Sequence, residues 1–293
     1  MDVNAIKDPS TYEEQLQKII DRGCIVNDKT EAISILERIN YYRFTAYFLP
    51  FKNNDDDTYK PGTRFNTVYQ IHEFDRELSQ LLFSVIVSIE LKLRTQIAYY
   101  HAHKYGALGY IEGGNFSNWH NHEKFMEHVE KSIKNNESQL FVKHHIEKYG
   151  GEFPIWVIIE LFSMGELSRF YSDMNKVDMK EISTQYKTTY KNLSSWLLCL
   201  TNLRNYCAHY SRLYYNVIVT RPATPIDFPY TLRRRPFDYI LMLKFLYCSD
   251  EKWKAYFVPR LRALIDEYQE HIHLWHLGFP ANWLELLEKP YFD

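Results

Sequence analysis

Residues 203–213 read Leu-Arg-Asn-Tyr-Cys-Ala-His-Tyr-Ser-Arg-Leu. Arg204, Asn205, His209 and Arg212 bring a fixed cationic fork, an amide and an imidazole into one short stretch. A guanidinium matches the geometry of a phosphate, and an imidazole can pass a proton near neutral pH. Together they suggest cleavage of an RNA backbone without a metal. A ribose 2′-hydroxyl would attack the adjacent phosphorus, with His209 as general base or acid. Arg204 would stabilise the charge that develops on the phosphate. Asn205, four residues before His209, would orient the imidazole, and Arg212 would hold a flanking phosphate. The spacing alone decides nothing. Arginine, four to six residues, then histidine is expected roughly twice by chance in such a composition. It occurs at Arg204/His209 and at Arg94/His101.

The pattern around the motif predicts a helix from 193 to about 212, with its polar row extending to 216. At about 100° per residue, Trp196, Leu200, Leu203 and Cys207 form an apolar stripe. Asn205, His209, Arg212 and Asn216 form the opposite row, which has no Glu or Lys. Arg204 lies about 140° from His209 on that wheel, so one straight helix does not bring both onto one phosphate. Either the helix is distorted, or a second copy faces the first across a two-fold axis. We favour the second, an isologous homodimer. The plainer alternative is a surface histidine beside a salt-bridging arginine.

Helices are also expected at 11–22, from Asp28 through Phe44 to near Pro50, and from Phe65 to about His103. Further ones follow at 118–149, from Pro154 to about Tyr171 with an interruption at Gly165, and at 178–186, 237–247, 252–272 and 283–287. No segment keeps a period of two for long. The fold class expected is all-α, as one domain over 1–293. Within it, 1–62 is an N-terminal helical extension, 63–220 a bundle core and 221–293 a set of C-terminal helices.

The net charge of −2 excludes a globally basic nucleic-acid coat, so any RNA contact must be a local patch. Aromatic residues reach 16%, with 24 Tyr. Large helical spacers explain most of them, and base-stacking platforms the remainder. Four scattered cysteines suggest reduced thiols and a cytoplasmic protein. Met1-Asp2-Val3-Asn4 has neither a basic start nor an apolar run, so no signal peptide is expected. The longest apolar stretch, 81–89, is too short for a bilayer, so no membrane partner is expected.

Other residues compete for a role. Arg94 and His101 share a face of the long helix, where Glu90 and Arg94 could pair. They are either a second RNA-contact row or a helix-stabilising ion pair. Arg233, Arg234 and Arg235 form a basic run before Pro236, either a solvated loop or a contact to RNA backbone. Tyr41, Tyr42, Arg43 and Tyr47 could meet a base or pack on the bundle. His271, His273, His276 and His144-His145 lack metal-ligand spacing, so neither metal nor other cofactor is expected.

The surroundings of the motif resemble the Abi family of bacterial abortive-infection proteins, its AbiD/AbiF-like group. Four blocks carry the resemblance over about residues 10–220. The first is Ile39-Asn40-Tyr41-Tyr42-Arg43-Phe44 with Tyr47 and Pro50-Phe51. The second is Gly62-Thr63 with Phe65, then Phe74-Asp75-Arg76-Glu77-Leu78, Ile89-Glu90 and Arg94. The third is Pro154-Ile155-Trp156 with Met164-Gly165-Glu166-Leu167-Ser168, and the fourth is Trp196-Leu197 with 203–213. The resemblance implies a HEPN-like helical bundle, elaborated here with extra N- and C-terminal helices. In such bundles an Arg-polar-x-x-x-His motif is the active site of metal-independent ribonucleases that act as dimers. Arg204, Asn205 and His209 occupy those motif positions. It also implies a toxic endoribonuclease of anti-phage defence, held in check by an antitoxin protein or a small regulatory RNA. Tyr210 departs from the pattern, which often carries a second histidine there. The alternatives are a non-catalytic RNA-binding module and a helical interaction protein.

Overall fold

The computed structural model describes residues 8–291, so the leader reading at Met1-Asp2-Val3-Asn4 lies outside the described residues. Among those described the chain is all-α, with isolated bridges such as Lys52 to Tyr59 in place of strands. Helices α1 (Tyr12–Asp21) and α2 (Lys29–Arg38) pack against each other at the N-terminal side. Thr11 closes α1 with a capping box to Glu14, and Asp28 caps α2 through the Glu31 N–H. These side chains satisfy donors that a helix start leaves unpaired.

The expected continuation of α2 to Pro50 does not occur. Ile39 is extended, and Asn40 caps a separate short helix, α3 (Tyr41–Thr45), by accepting from the N–H groups of Tyr42 and Arg43. An amide at a cap competes with the helix that would run through it.

Helix α4 (Phe65–Tyr105) is unbroken and 41 residues long, about 60 Å at the usual rise. Its stripe from Val68 through Phe74, Leu82 and Leu93 to Ile97 is fully buried. Helices α5 (His122–Asn135), α6 (Leu140–Tyr149) and α7 (Ile155–Ile158) lead to α8 (Met164–Asp173) and α9 (Lys176–Thr184). Gly165 does not interrupt a helix; Ser163 caps α8 with a box to Glu166, and Gly165 lies in its first turn. Then come α10 (Tyr190–Ala208), α11 (Pro236–Tyr247), α12 (Asp250–Lys252), α13 (Val258–Tyr268) and α14 (Trp283–Glu288).

Helix α4 is the axis: α7, α8, α9, α10, α11 and α13 all pack on it. Every residue of α11 from Pro236 to Leu246 is buried, in keeping with a pattern that is mostly apolar on all sides, with Asp238 and Lys244 enclosed among the apolar residues. Helix α10 lies between α4, α8, α9 and α11. It buries Trp196, Leu200, Leu203 and Cys207, the predicted stripe. That packing fixes which side of α10 is left for chemistry.

Candidate active site

Helix α10 ends at Ala208, four residues before the expected end. No glycine or proline stops it. Tyr210 takes a left-handed φ of 50°. The Tyr210 N–H then donates to the Cys207 carbonyl at 3.2 Å, and the Ser211 N–H to the Tyr206 carbonyl at 2.8 Å. This pair of bonds is a Schellman closure, normally built on glycine. A side chain at that φ costs on the order of 1 kcal/mol, so other contacts must hold the turn.

Two residues far away in sequence do so. The Arg43 guanidinium donates to the carbonyls of His209, at 3.4 Å from Nη1, and of Tyr210. The Asp75 carboxylate accepts the N–H of Leu213 at 2.9 Å and that of Tyr214 at 2.8 Å. The Tyr47 hydroxyl donates to the same carboxylate at 2.8 Å. Asp75 is 1% exposed. Burial pushes its pKa up to about 6, against the opposing effect of these three donors. Asp75 is the turn-holding residue that the motif-based reading missed. Its signal is present in the sequence: an acid at the core-facing position of Ile71, Asp75, Leu78 and Leu82, spaced four, three and four.

The early turn divides the predicted polar row. Asn205 and His209 remain one turn apart and exposed at the end of α10. Arg204 is half-buried beside them, and its Nη1 donates to the Asn205 side-chain oxygen at 3.4 Å. Arg212 and Asn216 are not on that face. Arg212 turns inward toward Tyr47 and Asp75, and donates to the Tyr214 carbonyl at 3.1 Å. Asn216 donates to the Arg212 carbonyl at 2.8 Å and accepts the Val217 N–H. Both brace the loop, because the chain leaves the helix before reaching them.

The other candidates separate as sharply. Arg94 is 7% exposed; it donates to Glu90 at 2.5 Å, to the Phe162 carbonyl at 2.6 Å and to the Ile159 carbonyl. It ties α4 to the turn before α8 and is not placed as an RNA contact, because those carbonyls take its donors. His101 is buried, and both ring nitrogens lack a protein partner among the described residues. Arg233 and Arg234 are exposed. Arg235 is instead half-buried and donates to the His276 carbonyl at 2.5 Å. Together the three line an open groove with Tyr230 and Trp275, a residue 63% exposed. Tyr47 is core and Tyr42 is surface.

The His276 imidazole bonds the Tyr214 hydroxyl at 2.7 Å, and the His273 N–H donates to the same hydroxyl at 2.9 Å. The loop after the motif is therefore pinned from both ends of the chain. A family model described as Abi-like protein matches residues 34–215. The chain belongs to the Abi-like protein family. Comparison with curated proteins and with solved structures gives no match. Membership points to abortive-infection defence. In this Abi-like chain the matched span contains Arg43, Asp75 and the whole motif, and stops before Arg233 to Arg235. Among its described residues no three His, Cys, Asp or Glu gather as a metal site. Among them, also, no helix is long and apolar enough to cross a membrane.

Proposed function

We propose that this Abi-like protein is a metal-independent endoribonuclease, the toxic effector of an anti-phage system in the cytoplasm. The observation that carries the reading is the end of α10. Asn205 and His209 are exposed there with the half-buried Arg204 at their edge, while Asp75 and Arg43 hold the turn that follows. A rigid element that displays an imidazole and a guanidinium is what preorganised acid–base chemistry needs.

In the proposed reaction the 2′-oxygen bonds to phosphorus and the bond from phosphorus to the 5′-oxygen breaks. One proton leaves the 2′-hydroxyl and one reaches the departing 5′-oxygen. His209 serves one of these transfers, and Arg204 neutralises charge on the non-bridging oxygens. An ideal helical wheel separates Arg204 from His209 by about 140°, which favours a composite site. Arg204 of one protomer works with the partner's His209 across a two-fold axis. Restraint by an antitoxin protein or a small RNA completes the scheme.

A second reading, RNA binding without cleavage, draws on the groove of Arg233, Arg234 and Trp275. Cations beside an exposed ring are a single-strand binding combination. Purified wild type, Arg204→Ala and His209→Ala incubated with total RNA in EDTA separate the two. Cleavage by wild type alone is expected. Intact RNA in all three samples, or equal cutting by His209→Ala, removes the nuclease reading. Retained binding without cutting favours the second.

A further inference from the structure

A cavity of about 460 Å³ opens on the other side of the motif turn, between α2, α3 and the first third of α4. Tyr210 and Ser211 form part of its wall, so it adjoins the proposed active site without containing His209. Three guanidinium groups line it, those of Arg38, Arg43 and Arg76. Arg38 is exposed and uses only Nε, on the Ser34 carbonyl at 3.1 Å; its terminal nitrogens have no protein partner among the described residues. On the α4 side of the cavity, which also carries Arg76, the rings of Tyr69 and His72 lie nearly parallel, 11° apart in plane, with centroids 6.4 Å apart. Tyr69 is half-buried, whereas the His72 side chain is only 13% exposed and also meets Phe44 and Tyr47.

Glu73 lies between His72 and Arg76 on the same helix. It accepts from Arg76 at 2.9 and 3.1 Å and lies 3.0 Å from the His72 Nδ1. It thereby fixes the positions of both side chains and offers a carboxylate edge inside the cavity. Burial pushes the His72 pKa below its ordinary value, which keeps the ring neutral and suited to stacking.

We propose that this cavity holds one nucleoside phosphate unit, its phosphate on Arg38 and Arg43 and its base against Tyr69 and His72. Guanidinium forks recognise phosphate oxygens, and aromatic faces accept any base. The volume falls within the range of about 300–1,000 Å³ typical of small-ligand sites. Inorganic phosphate would leave the ring wall unused. The inference rests on the ribonuclease reading for its most direct source, a nucleotide of the RNA strand flanking the cut. A free nucleotide is the other source of the same chemistry. Arg43 couples the cavity to the site in either case, since the same guanidinium holds the His209 and Tyr210 carbonyls.

The test uses the full chain carrying His209→Ala, so that binding is read without cleavage. Titrate it with a fluorescent 12-nucleotide RNA and, separately, with adenosine 5′-monophosphate, then repeat with Arg38→Glu and Tyr69→Ala added singly. Helical circular dichroism and melting, unchanged from the parent, certify the fold of each variant. A tenfold or greater loss of affinity in both variants is the expected result. Loss for RNA alone assigns the cavity to the strand, and loss for the mononucleotide assigns it to a free nucleotide. Unchanged affinity in folded Arg38→Glu and Tyr69→Ala overturns the proposal, as does failure of the parent to bind either ligand. If binding behaves as expected but wild type never cuts RNA, the cavity stands and the nuclease reading falls.

Discussion

Asp75 accepts the backbone N–H of Leu213 at 2.9 Å, across 138 positions of sequence. A buried carboxylate on the longest helix thereby decides where the motif helix stops. The neighbouring bond to the Tyr214 N–H, at 2.8 Å, makes the grip two-pronged. Replacing Asp75 with alanine orphans both N–H groups in the interior, each worth roughly 1–3 kcal/mol. We expect Asp75→Ala to lower stability by about 2–4 kcal/mol in urea unfolding. Amide exchange should accelerate most at 209–215. A variant as stable as wild type, with unchanged exchange there, would refute the clamp.

Tyr210 supplies a second check on the same turn. Its φ of 50° suits glycine and penalises every residue with a Cβ. Its side chain is 51% exposed, so truncation loses little packing. Tyr210→Gly should therefore be more stable than Tyr210→Ala by about 1 kcal/mol. Equal denaturation midpoints for the two would show that the turn is not left-handed in solution.

The composite site predicts complementation. Arg204→Ala and His209→Ala homodimers should each be inactive. After mixing under conditions that exchange subunits, each heterodimer holds one intact pair, the native Arg204 of one chain and the native His209 of the other. RNA cleavage should reappear at a fraction of the wild-type rate. Mixtures as inactive as their parents, despite proven exchange, would argue that both residues must come from one chain.

Acid sensitivity should trace to the interior. Burial lowers the His101 pKa from 6.5 to about 4, so the fold holds it neutral while the unfolded chain takes up a proton first. Its contribution is complete above about pH 6.5 and is lost as the pH falls toward 4. The full span is on the order of 3 kcal/mol. Asp75, raised to about 6, acts in the opposite sense: it favours the fold most below about 3.8 and loses that as the pH rises through 6. Replacing His101 with phenylalanine should flatten the fall in melting temperature between pH 6.5 and 4. An unchanged slope would assign the acid sensitivity to other groups.

Much of this architecture was legible in the residues themselves. The helix starts near Thr11 and Asp28, the run from Phe65 and the stripe of Trp196, Leu200, Leu203 and Cys207 are local patterns that the sequence turns directly into structure. The candidates Arg204, Asn205 and His209 were also visible, because they precede or occupy the helix end. Where the helix ends was not visible. Nothing in 203–216 breaks a helix, and the polar row through Arg212 and Asn216 continues on paper. Tertiary structure stops it, because Asp75 and Arg43 offer the backbone of 209–214 better partners than another helical turn would. The same holds for arginines: Arg94 and Arg43 have identical chemistry in the sequence. Only packing sets Arg94 against the carbonyls of Ile159 and Phe162 and places Arg43 beneath the motif turn. Periodicity is a property of neighbours along the chain, whereas the partner of a charged side chain is a property of what the fold brings near it.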